Sequence, residues 1–383
     1  MKAKMKKKLK SHKLTDTRRA AAEVKSESFE QQTWADLPVE LLELIFSGLI
    51  VADNIRASIV CKRWHSVATS VRQVNQPPWL MYLPQNGNRV HRKTIDFYDP
   101  GHRKAYSLDF PQLDRSRVCY SKDGWLLVYR RYTWPESSLF IFFNPFTREL
   151  IKLPEFDYPS SVAAFSCAPT STECVIFTIK HVSSTIVAIS TCYPGANKWT
   201  TVNYQNCSHF SCCLRTKVVF SNGLFYCLSN QGFLGVFDPV ECTWTVLEVP
   251  PPRCQDSFID RQGRKGKFMT EHEGNIFVIH MLCPEGPIIS KLDQTLMEWK
   301  DVSTLDGVTV FASFLSSPSR TNMAKIMSNS VYLPKFRVYG KCCMSFSLDE
   351  QRYYPNKQCH DWIQPGTVEN IWIEPPKDFA GWT

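Results

Sequence analysis

The chain has 383 residues, 43% hydrophobic, 13% aromatic and 21% charged, a composition that excludes a disordered or fibrous protein. Its formal net charge is +9, but residues 1–25 hold ten Lys/Arg against two acidic residues, so the other 358 carry only about +1. A near-neutral body sets up no global field for nucleic acid or an anionic membrane, and without a run of eighteen apolar residues no membrane-spanning helix is expected.

Residues 1–31 are basic and polar and read as a disordered tail. Lys6, Lys7, Lys8 and Lys10 form its densest cluster, a pattern that serves nuclear import or only solvates an arm. No apolar stretch follows the basic start, so no signal peptide is expected. The fifteen cysteines are odd in number and irregularly spaced. They read as reduced thiols of a protein of the nucleus or cytoplasm.

Residues 32–76 have helical periodicity and form the first folded segment. Pro38 suits the first position of a helix, with Asp36 as a cap. Leu41, Leu42, Ile45 and Leu49 follow as one apolar stripe. Asp53 is expected to cap a second short helix carrying Ile55. Val60, Trp64, Val67 and Val71 recur on a third. Three helices of this size bury little surface, and Leu37 and Pro38 lie outside the stripe, so the apolar surplus implies a partner helix bundle.

The string L-P-x-E-L-L-x-x-I, then D-x-I-R-x-x-x-V-C-x-x-W-x-x-V, resembles the F-box. The matching positions are Leu37, Pro38, Glu40, Leu41, Leu42, Ile45, Leu49, Ile55, Arg56, Val60, Cys61 and Trp64. The resemblance implies docking on a Skp-family adaptor, and through it on a cullin and a RING protein. Leu37, Pro38, Leu41, Leu42, Ile45, Leu49, Ile55, Val60, Cys61 and Trp64 are the adaptor-binding residues it implies.

Residues 77–92 read as a linker, and residues 93–383 as an all-β domain of short apolar runs broken by Pro, Gly, Asn and Asp. A turn dipeptide recurs at Asp99-Pro100, Asn144-Pro145, Tyr193-Pro194 and Asp238-Pro239, with weaker copies at Leu292-Asp293 and Leu348-Asp349. A second marker precedes the turns at Asp123-Gly124, Asn222-Gly223, Gly274-Asn275 and Asn329-Ser330. A period of about 45–56 residues with four strands per unit predicts a β-propeller, here of six blades. Trp372-Ile373-Glu374-Pro375 follows the sixth unit and is expected to complete the blade begun near residues 95–110. The fold class is thus α+β multidomain, a small three-helix unit followed by an all-β propeller.

Three stretches of this region resemble the plant F-box proteins with a kelch-like C-terminal domain. They are Y-D-P-x-x-R-K-A-Y-S-L-D-F-P (Tyr98–Pro111), F-x-N-P-F-T-R-E-L-I-K-L-P (Phe142–Pro154) and N-I-W-I-E-P-P (Asn370–Pro376). The double glycine of true kelch blades is absent.

No H-E-x-x-H, G-x-S-x-G or C-x-x-C occurs. Cys207, His209, Cys212 and Cys213 are close in sequence, but adjacent cysteines in a strand point to opposite faces, so no metal is expected. Gly263-Arg264-Lys265-Gly266-Lys267 is too short for a phosphate-binding loop. No cofactor and no catalytic residue are expected. The F-box resemblance implies a non-catalytic substrate-recognition subunit of a Skp–cullin–F-box ubiquitin ligase, holding an unidentified protein substrate. A kelch-oxidase-type enzyme, an F-box scaffold outside a ligase and a nucleic-acid binder are the competing readings. Substrate contact is expected on the blade-to-blade loops 111–117, 154–161, 203–211 and 250–267. The last carries a net +3, with Arg261, Arg264, Lys265 and Lys267 as candidates for an acidic or phosphorylated patch.

Overall fold

The computed structural model describes residues 34, 37–49, 51–71, 76–82, 94–114, 116–133, 136–156, 162–206, 210–213, 216–252, 266–282, 286–337, 342–355 and 370–376. The basic tail, with Lys6, Lys7, Lys8 and Lys10, lies outside them, as do Asp36, Arg261, Arg264 and Lys265. The chain divides into two compact units, Met1–Leu37 and Pro38–Thr383. In the first, Trp34 is exposed and Leu37 half-buried.

The second unit opens with three helices, α1 (Val39–Ser47), α2 (Val51–Ser58) and α3 (Lys62–Ser70). Pro38 stands at the N-cap of α1, one position earlier than expected, where its missing N–H costs nothing. Asp53 lies inside the first turn of α2 and binds Arg56 at 2.7 Å, so it does not cap the helix. The cap of α3 is Cys61, whose Sγ accepts from the Trp64 N–H at 3.4 Å. Leu42 and Phe46 of α1 are buried, and the Phe46 ring meets Trp64 edge-on at 5.1 Å. Asn54 donates to the Ala68 carbonyl at 3.0 Å, tying α2 to α3.

Six sheets follow, and they form a six-bladed propeller. The second to fifth blades are four-stranded antiparallel meanders, whose first strands are Ser116–Lys122, Val162–Phe165, Lys217–Ser221 and Lys267–His272. These strands touch one another in succession. Lys267–His272 meets Ser319–Arg320 of the sixth blade, and Ile371–Ile373 meets Ser116–Lys122. The ring of first strands therefore lines the propeller axis.

The first blade is built from both ends of the unit. Its order is Ile371–Ile373, Trp79–Tyr82, Thr94–Asp99 and Lys104–Asp109. Residues 77–92 are not simply the expected linker: Trp79, Leu80 and Met81 are buried in the middle of this sheet. Ile371–Ile373 completes the blade holding residues 95–109, pairing with Trp79–Tyr82.

Two turn chemistries position everything else. Between third and fourth strands an Asx side chain caps the turn. Asp99 Oδ1 accepts from the amides of Gly101 (2.8 Å) and His102 (3.1 Å), and Asn144 Oδ1 from Phe146 (2.9 Å) and Thr147 (3.1 Å). Asp238 and Asp293 repeat the geometry, at 2.8 and 3.1 Å and at 2.9 and 2.9 Å. Between first and second strands, Asp123-Gly124, Asn222-Gly223 and Glu273-Gly274 form two-residue turns with both φ angles positive, at 49° and 80°, 48° and 84°, and 47° and 81°.

The sixth blade departs from this plan. Thr309–Phe311 runs parallel to Ser330–Arg337, so Asn329-Ser330 is not a hairpin turn. The chain instead doubles back through Ser313–Ser317 and returns as Ser319–Arg320 along the axis. Packing within blades is close. A Cβ at Gly235 would lie 2.1 Å from the Trp244 ring, so Gly235→Ala should cost roughly 1–3 kcal/mol in denaturant unfolding. Unchanged stability would contradict this contact.

Candidate functional site

Among the described residues, fifteen large apolar side chains are exposed, and seven of them fall within residues 39–60. They are Val39, Leu41, Leu44, Ile45, Ile55, Ile59 and Val60, with Ile59 79% and Val60 63% exposed. Apart from Trp34 of the first unit, the rest are scattered singly over the propeller. Exposed apolar side chains gathered on so small a unit mark a contact surface.

The sequence-derived set divides on this surface. Pro38, Leu41, Ile45, Ile55 and Val60 are exposed, while Leu37, Leu49, Cys61 and Trp64 are half-buried. Leu42 is 1% exposed, so it supports the surface from beneath. The single stripe read from Leu41, Leu42 and Ile45 is in fact two faces, with Leu42 and Phe46 inward and Leu41 and Ile45 outward. Val39, Leu44 and Ile59 were missed because they lie off the periodic pattern. Their signal was surplus: more apolar residues than a three-helix core can enclose.

The helices sit at one end of the propeller. Arg103, in the third-to-fourth-strand turn of the first blade, approaches Asp53 at 3.5 Å, and Pro77 packs against Gly101 of the same turn. In antiparallel blades this end also carries the turns between first and second strands. A cavity of about 630 Å³ opens there on the axis, and Gln76 of the incoming chain lines it. The described ends of the loops expected to hold substrate, such as Glu155 and Val162, lie at the opposite end. Of that set, Lys267 opens a first strand and donates to the Asn230 carbonyl at 3.3 Å.

Polar side chains from four blades meet in the cavity. Glu374 pairs with Arg320 and accepts the Asp123 amide at 2.7 Å, linking blades one, two and six. Burial pushes the Asp123 carboxyl up, and the neighbouring Glu374 charge adds to the effect. His272 Nδ1 lies 2.9 Å from Ser319 Oγ, which donates to the Glu271 carbonyl at 2.7 Å. The sequence reading passed over this group, although Asp123 belongs to the Asp123-Gly124 marker and Glu271 and His272 shortly precede the Gly274-Asn275 marker.

Cys207 and His209 lie outside the described residues, and Cys212-Cys213 is not in a strand. Cys212 is buried with its Sγ against the Ile179 carbonyl at 3.6 Å.

A family model described as KIB1-4 beta-propeller matches residues 97–357, and one described as F-box-like matches residues 34–73. An F-box/kelch-repeat protein of Arabidopsis thaliana is 43% identical over 90% of this chain and 95% of its own length. An F-box protein of the same plant is 41% identical over 91% of each chain.

Proposed function

The chain belongs to the F-box proteins that carry a KIB1-4 β-propeller, and from that premise we propose that it is the substrate receptor of a Skp–cullin–F-box ubiquitin ligase. The observation that carries this reading is the exposed apolar surface of Val39–Val60 on the F-box helices. A helix bundle of the Skp-adaptor kind fits such a surface, because apolar anchors on short helices gain little until a partner covers them. The adaptor then links the chain to a cullin and a RING protein. The propeller holds the protein substrate, and ubiquitin transfer is left to the partners, so the chain acts as an adaptor and not as an enzyme.

Co-expression with a plant Skp-type adaptor tests the reading. A stoichiometric complex that survives gel filtration is the expected result. An adaptor that elutes separately from the folded chain would overturn it.

The location is proposed as nuclear, at least in part, from Lys6, Lys7, Lys8 and Lys10. Deleting residues 2–13 should move a fluorescent fusion from nucleus toward cytoplasm. An unchanged distribution would reduce the tail to a solvated arm. The basic loop is proposed as a contact for acidic or phosphorylated substrate. Changing Arg261, Arg264, Lys265 and Lys267 to Glu should then weaken substrate capture while adaptor binding persists; equal capture would place the contact elsewhere.

A further inference from the structure

We propose that the axial cavity at the F-box end of the propeller is a binding site for an organic cation, an ammonium or guanidinium group. The proposal goes beyond adaptor docking and stands on the propeller alone. The cavity, at about 630 Å³, is within the size range of small-molecule and side-chain pockets.

Charge selects the ligand's sign. Four carboxylates, from Asp123, Glu271, Glu273 and Glu374, line the cavity against the two cations Lys122 and Arg320. Arg320 is already engaged by Glu374, and Lys122 Nζ lies 5.4 Å from the Phe220 ring centroid. The upward push on the Asp123 carboxyl has the same origin, a buried anion beside another anion. A cation beside Asp123 relieves it, whereas an anion would add to the repulsion.

Hydrogen-bonding capacity selects the ligand's groups. Ser121 and Ser316, 5% and 7% exposed, line the cavity with hydroxyls that have no partner among the described residues. His272 Nε2 is likewise buried without a hydrogen bond, 3.8 Å from the Glu273 carboxylate. The waiting groups are thus a ring nitrogen, two hydroxyl oxygens and four carboxylates set against two cations. An alkylammonium with three donors or a guanidinium with five satisfies them together. A purely apolar ligand would leave every one of them buried without a bond.

The cation has two possible sources, a Lys or Arg side chain of a bound protein segment and a free amine. The test is calorimetric titration of the full chain with Nα-acetyl-lysine methylamide, Nα-acetyl-arginine methylamide and spermidine, with Nα-acetyl-glutamate methylamide as control. The wild type should bind at least one cationic probe and not the glutamate. Tighter binding of a lysine or arginine amide than of spermidine assigns the site to a protein segment, and the reverse order to a free amine. The double variant D123N/E273Q keeps side-chain shape, and Asn tolerates the positive φ of position 123. It should bind the cation at least tenfold more weakly at an unchanged melting temperature. If that variant melts early, Ser121→Ala and Ser316→Ala decide the matter: weaker binding supports the site and equal binding overturns it. Failure of every cationic probe, equal binding by a stable double variant, or binding of the glutamate amide would also overturn it. None of these outcomes touches the adaptor experiment.

Discussion

Changing Leu41 and Ile45 together to Asp should abolish capture of a Skp-type adaptor while the propeller stays folded. The two residues are four positions apart, on one outward face of α1, at 46% and 44% exposure. Because they are already exposed, charging them removes little from the folded chain. An adaptor that covers them loses two apolar anchors and gains two carboxylates to desolvate. Anchors of this kind are worth about 2 kcal/mol each, so the pair costs roughly a thousandfold in affinity. Pull-down with the adaptor, beside a melting curve, reads both halves of the expectation. Leu42→Ala is the contrasting variant. Leu42 is buried, so its truncation should cost roughly 2–5 kcal/mol in stability of the helical unit. Full capture by the Leu41/Ile45 variant would remove this face from the adaptor contact.

Trp372→Ala should be the most destabilising single change in the propeller, at about 3–5 kcal/mol. The Trp372 side chain is fully buried against Phe311, with ring centroids 5.1 Å apart, and its Nε1 donates to the Ala312 carbonyl at 3.0 Å. Asn370 adds a second tie to the sixth blade through the Pro334 carbonyl at 3.0 Å. One strand therefore completes the first blade and locks it to the last. Truncation before Asn370 should go further, leaving Trp79–Tyr82 as an open, wholly apolar edge that pairs with other chains. Light scattering should show aggregation of the truncated chain, and denaturant titration the loss in the point variant. A truncated chain that melts cooperatively as a monomer would contradict closure through this strand.

Much of this architecture is legible in the sequence because two local chemistries repeat. Asp99, Asn144 and Asp238 were read as turn residues, and each caps its turn with one side-chain oxygen. Asp123-Gly124 and Asn222-Gly223 were read as strand entries, and each is a tight turn with two positive φ angles. The reading failed where strand direction changes. The sixth unit carries Asn329-Ser330 in place of a turn pair, and there Thr309–Phe311 is parallel to Ser330–Arg337, which local signals cannot announce. It failed again at Trp79–Tyr82, whose flanking prolines resemble a linker and whose inner neighbour is remote in sequence. On α1, Leu41 and Leu42 are both apolar, and only the packing of Phe46 against Trp64 decides which turns inward. The axial cavity was illegible for a similar reason. Its walls come from five blades, and their polar residues, contributed by four of them, look ordinary in each stretch of sequence alone.

The pairing of Trp79–Met81 with Ile371–Ile373 spans some 290 residues, and it orders events during synthesis. At typical translation rates the ribosome needs roughly 15–60 s to make the intervening chain. For most of that interval the F-box helices are free to fold, while the first blade lacks its axial strand. A nascent chain thus presents its helical surface before its propeller is closed. Chaperones that shield unpaired β-strands, and the timing of release from the ribosome, would then govern how many chains close the ring.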